Sequence, residues 1–427
     1  MVMSSRVIEQ AIAARSAATV LRRLRRIDKD DLLTAMAAGL RKGVEEILAA
    51  NRADVDRGRD AGMDEALLDR LALTPERIEG MAVGLEGIAR LDDPVGEVVR
   101  GWHTPLGVRV EQVRVPIGVI GIIYEARPNV TSDAAGICLK SGNACLLRGS
   151  SSALESNRAV IAAMRSRLPE QIRDAVQLVE GGHEVTDELM AAREYVDLLI
   201  PRGGAGLINA VVTGSKVPVI QTGTGNCHLV IDASADVEMA VDIAVNAKTQ
   251  RPSVCNAIET VLVHREIANS AVPPLVDAMS DRGVTVHGDE ESIRLDPRIV
   301  PATPDDYDNE DLSLDLALRI VDDLEEAVDH IAKHGSGHSE TIVTRSMSSQ
   351  EFFTSSVDAA AVLVNCSSRF VDGGEFGFGA EIGISTQKLH ARGPMGLREM
   401  TTTTYVLQGD GQTRLWPLNG CRGVAVG

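Results

Sequence analysis

Short apolar runs alternate with helical stretches over most of this chain, and this alternation limits the possible folds more than any other feature of the sequence. The first series of apolar runs occupies residues 117–123, 144–147, 196–200, 217–220 and 228–231. A second series follows Cys255, with strands predicted at 260–264, 284–286 and 360–364 and helices around 268–279 and 324–333. Strands that alternate with helices form parallel sheets, so the sequence predicts two α/β domains without a tandem repeat.

Two further segments lie outside this alternation. Residues 7–91 are rich in Ala, Leu, Arg and Glu, with apolar residues three and four positions apart, which predicts a helical N-terminal segment. Polar and β-branched residues alternate over 102–115 around a turn at Gly107, and a similar run covers 401–407. These two runs predict a small excursion of β-strands.

The composition excludes several classes of protein. Forty-three Lys and Arg residues against sixty-one Asp and Glu residues give a formal charge of -18, which disfavours nucleic acid and membrane surfaces as partners. No stretch approaches the roughly 20 apolar residues of a membrane helix. The six cysteines show no C-x-x-C pair, so we expect free thiols in a cytoplasmic, reducing setting. Any anionic ligand must be held by local donors.

Cys255 lies between a predicted helix and a predicted strand. The helix covers 237–247 and begins after Ser234 or Asp236, either of which can cap it. The strand at 260–264 follows the cysteine after a short connection.

The residues just before Cys255 favour an ionised thiol. Pro252 suits the first position of a helical turn, whose free amides would stabilise a thiolate two or three residues later. Lys248 and Arg251 would lower the pKa of the thiol further. The alternative is that Cys255 is a small buried residue, as free cysteines usually are.

Two loops contain motifs that are weak evidence for function on their own. Gly203 and Gly204 follow the predicted strand at 196–200, where bare backbone can approach cofactor phosphates at the start of a helix. A plain turn is the alternative, because the segment lacks the G-x-G-x-x-G pattern. Asn129 follows Pro128, and this pair alone indicates a turn.

Four segments resemble a known family in order and in content. They are residues 124–143, 222–228, 248–260 and 375–404. They resemble motifs of the gamma-glutamyl phosphate reductases, a family within the aldehyde dehydrogenase superfamily. The resemblance implies an α/β fold of the aldehyde dehydrogenase type, with a Rossmann-like nucleotide domain, an α/β catalytic domain and a small β flap for oligomerisation. The implied limits are 1–101 and 116–246 for the nucleotide-binding domain, 247–400 for the catalytic domain, and 102–115 with 401–427 for the flap.

The same resemblance assigns catalytic residues. Cys255 is implied as the nucleophile. Asn129 is implied as the side-chain donor to the negative oxygen that forms when the thiol attacks a carbonyl, beside the backbone N–H of the nucleophile. Lys388 and Arg392 are candidates to bind the substrate carboxylate, and a role as ordinary surface charges is an equal alternative.

The cofactor residues are implied in the same way. Gly203 and Gly204 match the glycine turn that holds the cofactor, and Glu310 matches a residue that bonds the nicotinamide ribose. Arg148 and Ser151 lie in the segment that matches the one holding the adenosine ribose. Arginine with serines suits a 2′-phosphate, whereas an acidic residue would bond a free 2′-hydroxyl, so NADP is favoured over NAD. The chain departs from the family pattern at Ser150, Ser152 and Asp311.

The implied activity is the NADPH-dependent reduction of L-glutamyl 5-phosphate to L-glutamate 5-semialdehyde and phosphate through a thioester on Cys255, the second step of proline biosynthesis. Such an enzyme is expected to act on a small molecule, to form a homo-oligomer, and to contact glutamate 5-kinase transiently, since that kinase supplies the labile acyl phosphate.

Two alternatives differ in chemistry from this reductase. One is an NAD(P)-dependent semialdehyde dehydrogenase that hydrolyses its thioester, and the other is a non-catalytic sensor that binds NADPH. The hydrolytic enzyme needs a carboxylate base, and the position to examine is Gln221, which cannot act as one. Glu259 or Glu375 is a possible substitute for it.

Three histidines have the spacing of a metal site. His330, His334 and His338 are four positions apart and would align on one continuous helix. Gly335 and Gly337 should end that helix, so no metal is expected.

Overall fold

The computed structural model describes residues 5–414, which form four β-sheets together with many helices. The strands are β1 (Val98–His103), β2 (Arg109–Pro116), β3 (Val119–Tyr124), β4 (Ala144–Gly149), β5 (Val176–Leu178), β6 (Leu198–Arg202), β7 (Cys227–Ile231), β8 (Ile258–His264), β9 (Thr285–Gly288), β10 (Val300–Pro301), β11 (Asp315–Val321), β12 (Ser339–Val343), β13 (Ala361–Val364), β14 (Ile384–Ser385), β15 (Gly393–Pro394) and β16 (Thr401–Gln408). In this part of the chain, no helix has the length and apolar character needed to cross a membrane.

The helices occupy the N-terminal segment and the connections between strands. They are α1 (Arg6–Leu21), α2 (Arg26–Lys42), α3 (Val44–Asp60), α4 (Glu65–Leu71), α5 (Pro75–Arg90), α6 (Pro128–Lys140), α7 (Leu154–Arg165), α8 (Glu170–Arg173), α9 (His183–Ala191), α10 (Ala205–Gly214), α11 (Val237–Thr249), α12 (Arg265–Ser280), α13 (Glu290–Leu295), α14 (Asp305–Asp308), α15 (Leu324–His334) and α16 (Met347–Ser356). Short 3-10 turns cover Ser151–Ala153 and Ser368–Phe370.

The N-terminal segment is helical, as predicted. Ser5 and Thr74 cap α1 and α5, each accepting a hydrogen bond from an amide in the first helical turn, at 3.3 and 3.2 Å. The apolar stripes of α1, α2 and α5 pack into the same buried core as the first parallel sheet. This segment therefore covers that sheet, and we propose that it belongs to the same domain.

The first sheet contains four parallel strands in the order β5-β4-β3-β6. β3 and β4 are buried along their whole length, which confirms the strands predicted from the apolar runs at 117–123 and 144–147. The strand predicted at 217–220 is wrong, because this stretch forms a single bridge between Val219 and Leu199. Pro218 has no amide hydrogen, so the ladder cannot extend there.

The second sheet contains seven parallel strands in the order β10-β9-β11-β8-β7-β12-β13. The strand predicted at 228–231 belongs to this sheet, as β7, and not with the first series. β7 and α11 both pack into the core of this sheet. We therefore propose that the boundary between the two α/β domains lies near Gly225 rather than between 246 and 247.

The other elements predicted in the second series are present with small shifts. α12 and α15 contain the predicted helices at 268–279 and 324–333, and β9 and β13 lie close to the predicted strands. α11 begins after Asp236, whose carboxylate accepts a hydrogen bond from the Met239 amide at 3.1 Å. Of the two predicted caps, the structure therefore selects Asp236.

The third sheet is an antiparallel flap of three strands in the order β1-β2-β16. It is formed by the two runs that the sequence predicts as strands, and Gly107 turns between β1 and β2 with a φ of 82°. β1 is exposed along its whole length, and Trp102 meets Tyr405 edge to face with ring centroids 6.2 Å apart. The predicted flap residues 415–427 lie outside the described part of the chain.

Candidate active site

A cavity of about 310 Å³ lies between the carboxyl ends of β3 and β6 in the first sheet and the amino ends of β7, β8 and β11 in the second. The carboxyl edge of a parallel sheet is where α/β proteins bind ligands. Besides Cys255, the cavity wall contains these charged residues: Arg70, Glu125, Arg127, Arg202, Arg251, Glu310, Arg369, Asp372 and Glu381.

Cys255 lies in the cavity wall on the loop between α11 and β8. Its carbonyl oxygen accepts a hydrogen bond from the Cys227 thiol at 3.2 Å. The next residue, Asn256, donates from its side chain to the Val371 carbonyl at 3.0 Å and accepts from the Ser368 hydroxyl at 2.5 Å. These three bonds fix the loop backbone, while the side chain of Cys255 stays partly exposed.

A contact that only glycine permits holds this loop close to the strand β7. A Cβ atom on Gly225 would lie 1.5 Å from the carbonyl oxygen of Cys255 and 2.6 Å from its Cα. The Gly225 amide also donates to the Glu310 carboxylate at 2.7 Å. One glycine thus positions both the cysteine loop and the carboxylate beside it.

The surroundings of Cys255 do not favour ionisation of its thiol. Burial raises its pKa to about 11, with the Arg202 guanidinium acting in the opposite direction and the carboxylates of Glu310 and Glu381 adding to the rise. The helical turn predicted at Pro252 is wrong, because residues 251–257 form turns and no helix. A row of helix-end amides therefore does not stabilise the thiolate.

Lys248 is committed to another partner. Its ammonium group bonds the Glu259 carboxylate at 2.6 Å, and both side chains are fully buried. Burial raises the pKa of Glu259 to about 7, although Lys248 opposes this rise. The charge of Lys248 is neutralised by this pair, which explains why it does not supply the lowered thiol pKa that the sequence predicted.

Gly203 and Gly204 line the cavity between β6 and α10. The Gly204 amide, at the start of α10, donates to the Glu125 carboxylate at 3.0 Å. A Cβ atom on Gly203 would lie 2.6 Å from the carboxyl carbon of Glu125, so the carboxylate rests directly on the turn. The predicted turn is thus able to bind an anion, and in this structure the anion is the carboxylate of Glu125.

Arg148 is buried at the end of β4. Its guanidinium donates to the carbonyl oxygens of Gly149, Gly181 and Gly182 at 2.5, 2.8 and 3.2 Å. Its Nε is buried and has no hydrogen-bond partner within the described residues, and burial lowers the pKa of this side chain. Ser151 follows on an exposed 3-10 turn.

Asn129 lies in the first turn of α6, beside the cavity. It is exposed, and its side chain acts on the carboxyl group of Asp133, one turn further along the helix, whose pKa burial raises and Asn129 lowers. Its neighbours Arg127 and Val130 line the cavity, whereas Asn129 does not. The structure therefore brings Asn129 near Cys255 without placing its amide in the cavity wall.

Lys388 and Arg392 are engaged outside the cavity wall. Both form ion pairs with Asp358, that of Arg392 at 2.7 Å, and the side chain of Lys388 is 69% exposed. This arrangement favours the surface alternative for Lys388.

Five arginines line the cavity, and the sequence analysis did not identify them as a group. They are Arg70, Arg127, Arg202, Arg251 and Arg369. Within the described residues, none of the five forms an ion pair with a carboxylate. Arg127, Arg202 and Arg251 lie next to residues that the motifs singled out. Arg127 follows β3, Arg202 ends β6 and Arg251 follows α11, and spacing along the chain gives no sign that they converge.

Carboxylates are also present in the cavity, although Gln221 is not part of its wall. The Gln221 amide donates to the side chain of Gln387 at 2.9 Å. Glu310 and Glu381 do line the cavity, and burial raises the pKa of both. The glutamine at 221 therefore does not leave the site without a base, and the sequence argument against a hydrolytic enzyme loses its support.

The three evenly spaced histidines are separated by a helix end. α15 stops at His334 and Gly335 caps it, as the glycines predicted. The rings of His330 and His334 lie 4.4 Å apart, while His338 is buried beside the Cys227 thiol. Among the residues that the structure describes, no three or more His, Cys, Asp or Glu side chains are grouped so as to hold a metal ion.

Comparison with known proteins decides the family. The profile of the Aldehyde dehydrogenase family matches residues 3–304. A gamma-glutamyl phosphate reductase from Cutibacterium acnes is 93% identical over 414 residues, covering 97% of this chain and 100% of that protein. The chain belongs to the aldehyde dehydrogenase family, among its gamma-glutamyl phosphate reductases. Members of this family are enzymes that use a nicotinamide cofactor.

Two more distant relatives agree over nearly the full length. The gamma-glutamyl phosphate reductase of Thermobifida fusca is 56% identical over 407 residues, 94% of this chain and 97% of that protein. The crystal structure of the gamma-glutamyl phosphate reductase from Thermotoga maritima superposes with a TM-score of 0.94 at 47% identity, covering 96% of this chain and 100% of that one. These matches confirm the predicted aldehyde-dehydrogenase-like α/β fold.

We expect the thiol of Cys255 in the free enzyme to be alkylated faster with each step in pH up to about 11. The reason is that the thiolate is the reactive form and burial raises the pKa of this thiol to about 11. The measurement is the rate at which iodoacetamide modifies the Cys255 peptide, followed by mass spectrometry from about pH 6 to 10, with a short peptide of the same sequence as reference. A plateau near the ordinary thiol pKa of ~8.5 in the folded enzyme contradicts this expectation.

Proposed function

We propose that this enzyme reduces L-glutamyl 5-phosphate to L-glutamate 5-semialdehyde and phosphate with NADPH, the second step of proline biosynthesis from glutamate. The observation that carries the proposal is the convergence of the Cys255 thiol and five arginine side chains on one cavity of an acidic protein. A thiol is a suitable nucleophile towards an acyl carbon, and arginine suits both phosphate and carboxylate. The names of the relatives support the same substrate.

The charges of the substrate match those of the cavity. L-Glutamyl 5-phosphate carries a phosphate at one end and a carboxylate with an ammonium group at the other. Arg202 affects the pKa of Cys255, so we assign this side chain to the phosphate of the reacting acyl group. The other arginines are available for the substrate carboxylate, and Asp372 offers a partner for the ammonium group.

The first chemical step needs a base, because the resting thiol is protonated at neutral pH. We assign this role to Glu381, which influences the pKa of Cys255 and whose own carboxyl pKa is raised by burial, so that it is a stronger base than an exposed carboxylate. The sulfur then bonds the acyl carbon, and the bond from that carbon to the phosphate oxygen breaks with its electron pair on phosphate. Arg202 stabilises the charge of the departing group.

The residues proposed for the cofactor fit an anionic dinucleotide. Gly203 and Gly204 present bare backbone at a helix start, and Arg148 has a buried Nε without a partner among the described residues. Ser151 and Glu310 would complete the contacts at the two ribose rings. When bound, the cofactor supplies a hydride to the thioester carbon.

The negative oxygen formed in both steps requires hydrogen-bond donors. The backbone N–H of Cys255 is one, and we assign the side chain of Asn129 as the other, which requires it to turn from Asp133 towards the cavity. Collapse of the reduced intermediate breaks the carbon–sulfur bond, releases the aldehyde and returns Cys255 to the thiolate.

A hydrolytic dehydrogenase is the second candidate, because Glu310 and Glu381 lie in the cavity where a base could activate water. The two candidates differ in what attacks the thioester on Cys255 in the oxidative direction. In the reductase it is phosphate, bound by the arginines, and in the hydrolytic enzyme it is water.

The oxidative reaction separates these candidates. Given pyrroline-5-carboxylate, the cyclic form of the semialdehyde, and NADP, the enzyme is expected to form NADPH only when phosphate is present, and Cys255→Ala is expected to abolish this turnover. The readout is absorbance of NADPH with and without added phosphate. Turnover that needs no phosphate supports the hydrolytic enzyme, and turnover that survives in Cys255→Ala contradicts both.

The preference for NADP over NAD is proposed to rest on Arg148. Replacing this side chain in Arg148→Gln removes the positive charge expected to face the 2′-phosphate. We expect the dissociation constant for NADPH to rise by roughly 10- to 100-fold, the range of a lost charge-assisted hydrogen bond of about 1.5–3 kcal/mol, while that for NADH changes little. Equal losses for the two cofactors in fluorescence titrations contradict this assignment.

We propose a homo-oligomer built through the flap. Its outer strands expose Trp102, Tyr405 and Leu407, and an exposed apolar surface of this kind is typical of a protein–protein interface. We also propose a transient contact with a glutamate 5-kinase, because an acyl phosphate is labile and direct delivery from the kinase protects it.

The described cysteines are all free thiols, which supports a reducing cytoplasm as the location.

A charge placed on the flap tests the oligomer. Leu407 is 62% exposed in the single chain, so Leu407→Asp is expected to leave the fold intact and to produce a smaller species in size-exclusion chromatography with light scattering. Leu389 is 58% exposed away from the flap, and Leu389→Asp is the matched control that should leave the mass unchanged. A wild-type enzyme that is monomeric rules the proposal out.

A further inference from the structure

We propose that Glu125 is an internal competitor for the cofactor, whose carboxylate occupies the phosphate-binding turn in the free enzyme and lowers the affinity for the nicotinamide dinucleotide. The inference rests on the proposed function, since it takes the turn at Gly203 and Gly204 as the place where the cofactor pyrophosphate binds. It assigns a role to a side chain that the mechanism above does not use.

The backbone holds Glu125 in place at the end of β3. Its amide donates to the Arg202 carbonyl at 3.1 Å, and its own carbonyl accepts from the Arg127 amide at 2.7 Å. From this fixed position the side chain reaches across to α10, where its carboxylate accepts the Gly204 amide at 3.0 Å. The contact is therefore between two sequence-distant loops that line the same cavity.

The carboxylate fills the space that a phosphate would need. A Cβ atom on Gly203 would lie 2.6 Å from the carboxyl carbon of Glu125 and 2.8 Å from a carboxylate oxygen. The missing side chain at Gly203 thus makes room for the carboxylate against the bare backbone. A phosphate group that used the Gly204 amide would take the same donor and would meet a negative charge at contact distance, so the two anions exclude each other.

The same cavity offers the displaced carboxylate other partners. Arg127 and Arg202 line it beside Glu125, and neither forms an ion pair with a carboxylate within the described residues. The charge of Glu125 already acts on the pKa of Arg127, which burial lowers and Glu125 raises. Glu125 is therefore able to leave the turn at moderate cost, so that it weakens cofactor binding without preventing it.

A purely structural role for Glu125 would give a different result. If Glu125 only caps α10, removing its side chain lowers stability and leaves cofactor affinity unchanged or weaker. Glu125→Gln retains an oxygen that can accept the Gly204 amide but has no charge, and Glu125→Ala retains neither. The two variants together separate the effect of the charge from that of the cap.

The test is a fluorescence titration of the purified enzyme with NADPH and, separately, with NADH, at low ionic strength and without substrate. We expect Glu125→Gln and Glu125→Ala both to lower the dissociation constant, by roughly tenfold, the factor that about 1.4 kcal/mol represents. The factor should be the same for both cofactors, because the 2′-phosphate is proposed to bind at Arg148 and not at the turn. It should shrink as salt is added, since the repulsion is between charges that face solvent.

The matched control is Glu399→Gln. Glu399 accepts the amide of Gly396 at 2.9 Å, the same kind of carboxylate–glycine bond, in a different cavity. This variant should bind both cofactors as the wild type does.

Three results overturn the inference. Unchanged or weaker cofactor binding in both Glu125 variants, with a wild type that binds NADPH, refutes the role of Glu125 and leaves the proposed function standing. A gain confined to NADPH places Glu125 at the 2′-phosphate and refutes competition at the turn. A wild type that binds neither cofactor refutes the proposed function together with this inference.

Discussion

The missing side chain at Gly225 fixes the position of the Cys255 loop, and the geometry of the cavity depends on that position. A methyl group there would collide with the carbonyl oxygen and the Cα of Cys255, so the loop would have to move away from β7. Two residues further along the chain, the Cys227 thiol donates a hydrogen bond to the same carbonyl oxygen, and the Gly225 amide donates one to the carboxylate of Glu310. The same short stretch of backbone, at the amino end of the second sheet, thus holds both the Cys255 loop and the carboxylate beside it in place.

This arrangement places the thiol where burial and charge oppose each other. Burial raises the pKa of Cys255 and the nearby arginine lowers it, with burial prevailing in the free enzyme. An anionic substrate would neutralise part of the charge on Arg202 and so weaken one of the two influences that favour the thiolate, the other being the backbone amide of Cys255 itself. Substrate binding alone therefore does not ionise the thiol, and the proton has to pass to a base as the sulfur attacks. The half-buried carboxylate of Glu381 lines the same cavity and is the base that we propose for that transfer.

The sequence predicted the layers of the fold, and the position of Cys255 between a helix and a strand, more reliably than the side chains around Cys255. Alternating runs reveal strands such as β3 and β8, because apolar periodicity reports burial directly. The same runs did not show that 228–231 belongs to the second sheet, since periodicity carries no information on which strands pair.

Side-chain partners were less predictable for the same reason. Contacts between distant segments bring Arg202 and Glu381 to the cavity. Lys248 instead pairs with Glu259, and an eleven-residue separation in the sequence does not predict this pair. Family resemblance supplied Gly203, Gly204 and Arg148, whose positions in the structure suit an anion, and also Lys388, which pairs with Asp358 at the surface.

Three consecutive residues join the two halves of the site. Arg202 lines the same cavity as the Cys255 thiol, and Gly203 and Gly204 form the turn at the start of α10, so no flexible linker separates the ends that we propose for the substrate and for the cofactor. The neighbouring strand repeats this arrangement, because Tyr124 pairs with Arg202 in the sheet and Glu125 and Arg127 follow directly. A carboxylate that leaves the turn therefore enters the field of the arginines that we assign to the substrate. On the proposed assignments, we expect occupation of one end of the cavity to change the charge at the other, and the register of β3 and β6 provides this coupling without any movement of the sheets.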